Sequence, residues 1–541
     1  MQVFEIVIAL LLGGAGLAAL ARRIGTPYPS LVALAGAGLA LVPGTPTLVL
    51  DPELALALFV APVLLDAAFD ASPRDLRANW RPVAGLALGA VALTILAVAL
   101  VTRALVPGMP WAAAIALGAI VAPPDAAAAT AVLKQLRPPY RLLVILEGES
   151  LFNDASALLV YRLAVGAAVA GAVVGWGALP MLLVVTAGSI LLGLVLSRLT
   201  LSVTRRIQDV ATAVIVQFCT TFAVWLLAER LHLSGILTMV VFAMATSRVA
   251  SDLVPARIRI PSYAVWEVVV FVLNVLAFIL VGFQLKSIVS RLGRPELLDY
   301  AWIAAAVCGA AILARIAWVS LVAAVSRWRC RATQCAPGAV ALSSRAAALV
   351  GWCGMRGIVT LAAALALPTG GAGEPAFPYR DLILFTAFSV VLGTLVLQGL
   401  TLRPLMTHLE LDDDGAVERE VRLARVATLR AALEATAASS SGTETAALVR
   451  RRYELQLRRA EAELDESESG GADDRPDGAT APWSLPSADV DMLRATMAAE
   501  RQRLSSLRAE GTIGDAAFQQ VEQELDWTEL DLQQLLRAEI T

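Results

Sequence analysis

The chain has 541 residues, 58% of them hydrophobic and only 16% charged, with a net charge of −3 and a strongly positive mean hydropathy. Apolar runs of roughly 20 residues recur along it, as a polytopic membrane protein requires and a soluble core does not. No basic patch interleaved with aromatics occurs, which sets nucleic-acid binding aside.

The N-terminus, MQVFEIVIALLLGGAGLAALARR, has no basic segment ahead of its apolar run and reads as a first span, not a cleaved signal peptide. Hydropathy predicts an all-α membrane protein with about 13 spans, near 3–21, 28–43, 53–69, 82–105, 110–133, 141–171, 176–198, 209–230, 234–247, 262–285, 300–325, 341–367 and 381–402. Alternate loops carry Arg22/Arg23, Arg74/Arg77/Arg81, Lys134/Arg137/Arg141, Arg198/Arg205/Arg206, Arg248/Arg257/Arg259 and Arg327/Arg329/Arg331. In the other set, only the loop with Lys286, Arg291 and Arg294 holds more than one base. The Arg-rich set is expected to be cytoplasmic, with the N-terminus outside and the C-terminus inside.

Three polar clusters lie at membrane depth. In the fifth span, 119-AIVAPPDAAAATAVLK-134, Pro123 and Pro124 cannot continue a helix, and Asp125 follows directly. Broken backbone at this depth is tolerated only where it is buried in protein or lines a cavity, and discontinuous helices are how secondary transporters build ion sites. Asp125 can neutralise the exposed helix N-terminus.

The sixth span carries 145-ILEGESLFNDASALLVYRLAV-165, with Glu147, Glu149, Asn153 and Asp154 close together. On a helix, Glu149, Ser150, Asn153 and Asp154 fall within about 140° of arc, one face. An acid at bilayer depth costs roughly 2.5 kcal/mol or more, so that face meets a partner or a water-filled cavity. Carboxylate, carboxamide and hydroxyl form a hard oxygen set that suits an alkali cation, and the carboxylate can bind a proton instead. A polar packing network is the alternative. In the twelfth span, 351-GWCGMRGIVTLAAALALP-368, Gly351, Gly354 and Gly357 loosen the helix around Arg356. That guanidinium needs an acid, and Glu149 is the expected partner, leaving Asp154 free to titrate. The two breaks correspond in position if spans 1–6 and 8–13 are inverted repeats.

Gln217, Glu267, Asn274 and Arg315 also lie in apolar runs, and each is expected to be structural, Glu267 and Arg315 pairing or lying near the interfaces. Glu147 is placed at the cytoplasmic end of the site or as a cap. The five cysteines complete no zinc pattern, Cys330 and Cys335 included, and His232 and His408 are too far apart for a His-based metal site. Beyond about residue 408 the charge becomes mixed at helical spacing. We expect a cytoplasmic helical tail over 409–541, with a flexible Gly/Pro/acidic linker near 467–487, helices near 488–509 and 514–538, and a dimerising or regulatory role.

These residues resemble a known family. GESLFNDA is similar to the GESLLNDA signature of NhaP-type sodium/proton exchangers of the monovalent cation/proton antiporter-1 family, and GWCGMRGIVTLAAALALP to its W-G-G-L-R-G segment. Fainter echoes are PYPSLVALAGAGLALVPG, LFVAPVLLDAAF and WEVVVFVLNVLAFILVGFQL, and the resemblance covers roughly residues 1–405. It implies an NhaA-like fold with two crossed broken helices, a homodimer, and a binding pair at Asn153 and Asp154 where Na⁺ and H⁺ compete, with Ser150 beside it. It also implies a Glu149–Arg356 ion pair and electroneutral exchange. The family's broken helix carries Thr where this chain has Pro124, so no Thr ligand carries over.

The expectation is an antiporter without cofactor, exchanging Na⁺ or Li⁺, with K⁺ as the alternative, for H⁺ across the cell membrane. A channel or membrane sensor is the more remote reading. An enzyme would need a Ser-Lys, Ser-His or two-Asp arrangement; Ser150 has neither His nor Lys nearby in sequence.

Overall fold

A computed structural model describes residues 2–40, 42, 52–125, 128–130, 133, 136, 138–170, 178–289, 294–333, 343–369, 377–411, 415–438, 444–469 and 487–538, and all regular structure among them is helical. The first elements follow the apolar runs: α1 (Gln2–Ile24), α2 (Tyr28–Ala40) and α3 (Ala61–Asp70). A short α4 (Pro73–Ala78) is capped by Ser72, whose hydroxyl accepts from the Asp75 N–H, and leads into α5 (Trp80–Leu105). Next, α6 (Trp111–Val121) stops just before Pro123-Pro124, where the helical donors run out.

Long helices then alternate: α7 (Tyr140–Ala170), α8 (Ala178–Thr204), α9 (Val210–Arg230), α10 (Gly235–Leu253), α11 (Ala256–Val289) and α12 (Arg294–Thr333). The second break separates α13 (Ser344–Trp352) from α14 (Ile358–Leu365), with residues 353–357 non-helical, before α15 (Arg380–Leu409). Among the described residues, six helices are long and apolar enough to cross a membrane. Length and composition therefore do not reproduce the expected 13 spans. Two reasons are visible: the breaks halve α6, α13 and α14, and Glu147, Glu149 and Asp154 lower the hydropathy of α7.

The main core joins α2, α5, α6, α7, α11, α12, α13, α14 and α15, and a second cluster joins α3 with α9 and α10. Without a hydrophobic drive between helices in lipid, close approach relies on small residues. At the α2–α11 contact a Cβ on Gly36 would lie 2.6 Å from the Ile279 carbonyl oxygen, and one on Gly282 would lie 2.2 Å from the Ala37 nitrogen. Leu12, Leu183, Leu298 and Trp302 are exposed on the perimeter, as a lipid-facing surface would present them.

Four amphipathic helices follow: α16 (Ala416–Ala438), α17 (Glu444–Ser469), α18 (Ser487–Ala509) and α19 (Asp515–Ala538). Of these, α16, α18 and α19 enclose a core around Val421, Leu504, Phe518 and Val521. This bundle packs against the start of α11. There Arg259 bonds Asp526 through Nε at 2.7 Å and Glu522 through Nη1 at 3.1 Å, with Arg501 completing the cluster at 2.7 Å from Asp526. Most of the expected linker, 470–486, lies outside the described residues, as do Lys134, Arg137, Arg291 and Cys335.

Candidate ion-binding site

The two breaks cross at one point. The Asp125 N–H, freed by the preceding prolines, donates to the Met355 carbonyl at 2.6 Å. A broken helix exposes carbonyls at one end and N–H groups at the other, with partial negative and positive charge respectively. Each break supplies the other's counter-charge. Arg356, fully buried, sends Nε to the Val121 carbonyl at the end of α6, at 3.0 Å. Its Nη1 donates to the Gly354 carbonyl and its backbone N–H to Thr394 Oγ1 at 3.1 Å. Conversely, the Asp125 carboxylate lies at Gly357, the N-cap of α14, so close that a Cβ there would be 1.8 Å from Oδ2.

The face of α7 that carries the acids meets this crossing. Asn153 is fully buried, and its Nδ2 donates to the Pro124 carbonyl at 2.8 Å, while its Oδ1 is buried with no hydrogen-bond partner. The Pro124 carbonyl, at the position where no Thr side chain carries over, is thus held by Asn153. Asp154 makes no hydrogen bond or ion pair to another described residue, and the charge that bears on it is that of Asp125. Ser150 lies one turn earlier on α7, half-buried. The crossing therefore brings together Pro124, Asp125, Asn153, Gly354 and Gly357, with Asp154 within reach of the Asp125 charge.

The expected Glu149–Arg356 pair is not what forms. Glu149, 1% exposed, is held by Arg315 of α12 in a two-pronged ion pair, with Nη2 to Oε2 at 2.8 Å and Nη1 to Oε1. Arg315 also reaches the Val350 carbonyl at 3.1 Å. The reason is the break itself: the carbonyls it frees satisfy Arg356, so Arg356 needs no acid. Gly354 leaves room for the neighbour, since a Cβ there would lie 2.6 Å from Arg315 Cδ. Arg315 equally does not pair with Glu267, which is exposed. Gln217 accepts a hydrogen bond from Trp266 Nε1 at 2.8 Å, a packing contact, and Asn274 hydrogen-bonds Tyr28 beside Asp125. Sequence reasoning noticed Arg315 but not its role; a mid-span guanidinium, which must find an acid, was the available signal.

The sequence family described as the sodium/hydrogen exchanger transmembrane domain matches residues 6–408. The chain belongs to the sodium/hydrogen exchanger family. This exchanger is 32% identical over 517 residues to an uncharacterized Na⁺/H⁺ exchanger of Mycobacterium bovis, covering 94% of this chain and 92% of that one. It is also 32% identical over 377 residues to a sodium, potassium, lithium and rubidium/H⁺ antiporter of Bacillus subtilis, over 66% of this chain and 54% of that protein. Among solved structures, the exchanger's fold is that of the sodium proton antiporter MjNhaP1 of Methanocaldococcus jannaschii, at a TM-score of 0.59 and 17% identity, covering 76% of this chain and 98% of that one.

Proposed function

We propose that this exchanger moves Na⁺ or Li⁺ against H⁺ one for one, by alternating access, with both ligands competing for Asp154. The observation that carries this reading is the buried Oδ1 of Asn153, unpartnered among the described residues, beside the Asp154 carboxylate, which pairs with no described base, at a crossing of broken helices. Asn153 Oδ1, the Asp154 carboxylate, Ser150 Oγ and carbonyls freed at the breaks offer hard oxygen donors. Asp125 tunes the site through its charge, and the Glu149–Arg315 pair and Arg356 hold the scaffold.

Coupling follows from one rule. A bare carboxylate is costly to carry across the barrier, so Asp154 crosses only when protonated or cation-loaded. A single carboxylate that carries one H⁺ one way and one monovalent cation the other moves no net charge. Residues 1–408 form the transporting unit, with the N-terminus outside. Residues 409–541 form a cytoplasmic regulatory bundle, and the protein works as a homodimer in the cell membrane. A second reading, K⁺/H⁺ exchange, is favoured by the Bacillus relative, a sodium, potassium, lithium and rubidium/H⁺ antiporter, and by the missing Thr at position 124.

The test uses proteoliposomes with an imposed pH gradient, adding Na⁺, Li⁺ or K⁺ separately to wild type and Asp154→Asn. Gradient collapse in wild type that the variant lacks is the expected result, and the ion series names the substrate. Cation flux without proton movement would point to a channel. A folded wild type that answers no cation sinks the antiporter reading.

A further inference from the structure

Behind the ion site, on the opposite side of α7, lies a crevice of about 740 Å³. One wall is Ala155, Leu159 and Leu163 of α7, and the facing wall is Val185 of α8 with Leu237 and Met244 of α10. Asp154 does not line it. At one mouth stand Arg77 and Arg248, both exposed and neither in an ion pair among the described residues, with Trp80 beside them. Among the described lining residues there is no acid; the third arginine, Arg162, is taken by Glu229 at 3.0 Å.

We propose that this crevice is a binding site for one anionic phospholipid, its acyl chain along the groove and its phosphate between Arg77 and Arg248. Length argues for one leaflet's lipid. From Leu237 to Arg248 α10 rises about 16 Å, half of a hydrocarbon core of roughly 30 Å. Chemistry argues for the head group: two unpaired guanidiniums match a phosphodiester, whose oxygens they can bind in forked geometry. Trp80, 60% exposed with Arg81 over its ring, marks that mouth as the membrane–water interface, where amphipathic rings settle. The walls between are mostly apolar, with Ser156, Thr186, Arg162, His232 and Ser234 as the other polar lining residues, so a head group alone would leave the apolar groove uncovered. The lipid would separate α7, the helix bearing Asn153 and Asp154, from α8 and α10.

The test is native mass spectrometry of the delipidated full chain, titrated with phosphatidylglycerol or phosphatidylcholine of identical acyl chains. The wild type should retain one phosphatidylglycerol with roughly tenfold or greater preference, as two basic side chains at an anionic lipid would confer. Arg77→Gln with Arg248→Gln should erase that preference without changing the elution profile. Ala155→Trp, which fills the groove and leaves both arginines, should also release the lipid. Equal retention of the two lipids by wild type, or a preference that survives the double arginine variant, overturns the proposal. So does competition by glycerophosphoglycerol as strong as by the whole lipid. Neither arm reads transport, so failure here leaves the exchange reading untouched.

Discussion

At Glu149 a carboxylate that is 1% exposed meets a guanidinium that is 2% exposed. Losing either partner strands the other charge in the interior, a cost of about 3–5 kcal/mol, whereas losing both removes the problem. Glu149→Gln and Arg315→Gln should therefore each lower the thermal unfolding midpoint sharply in detergent, and the double variant should recover much of the loss. Gly357 is limiting for a different reason. A methyl there would overlap the Asp125 carboxylate, so Gly357→Ala should cut exchange by on the order of tenfold or more in a protein of normal elution profile. At this scale Asn153, Asp154, Asp125 and Arg356 were legible, because polar side chains are conspicuous among apolar neighbours. The Glu149 partner was not. Two arginines stood at similar depth, and only the spatial path of the freed carbonyls decides which one is left to pair with Glu149.

The breaks were the readable elements, since consecutive prolines at 123–124 and the glycines of 351–357 interrupt helix geometry wherever they occur. Their crossing was not readable, because the Asp125–Met355 bond joins segments far apart in sequence. The tail helices were legible from charge pattern, but their docking on Arg259 was not. That docking, at Glu522, and the bundle's interior, at Glu500, carry a pH dependence. Burial pushes the Glu500 and Glu522 carboxyls up to about 7, against the pull of Arg501 and Arg452 on the first and of Arg259 on the second. Asp526 also raises Glu522, and Arg501 and Arg508 lower it. A carboxyl raised in the folded state stabilises it fully below its ordinary range, and that contribution is lost as pH rises through the raised value. Hydrogen exchange across α18 and α19, corrected for intrinsic rates, should be slower at pH 6 than at pH 8. Glu500→Gln should flatten the difference in α18.

Over the whole molecule, three apolar clusters carry the family's matched region, 6–408, and a separate one joins α16, α18 and α19. Hydropathy located most of the long helices because lipid demands continuous apolar runs. It could not count spans through a site built from half-helices and acids. The attachment of that tail cluster depends on few charges: Arg259 with Glu522 and Asp526, and a looser contact of Arg74 with Glu420 at 3.9 Å. Arg259→Gln should therefore raise hydrogen exchange in α19 while leaving α5 and α15 unchanged.

The helix that receives the tail also passes the site. Arg259 and Asn274 both belong to α11, fifteen residues or about 22 Å apart, and Asn274 hydrogen-bonds Tyr28, which the Asp125 charge reaches. A single rod thus has one end gripped by the tail bundle and its middle resting beside the crossing of the two breaks. A sideways tug on the first would be felt at the second as leverage, with Pro261 as the place where the rod can flex.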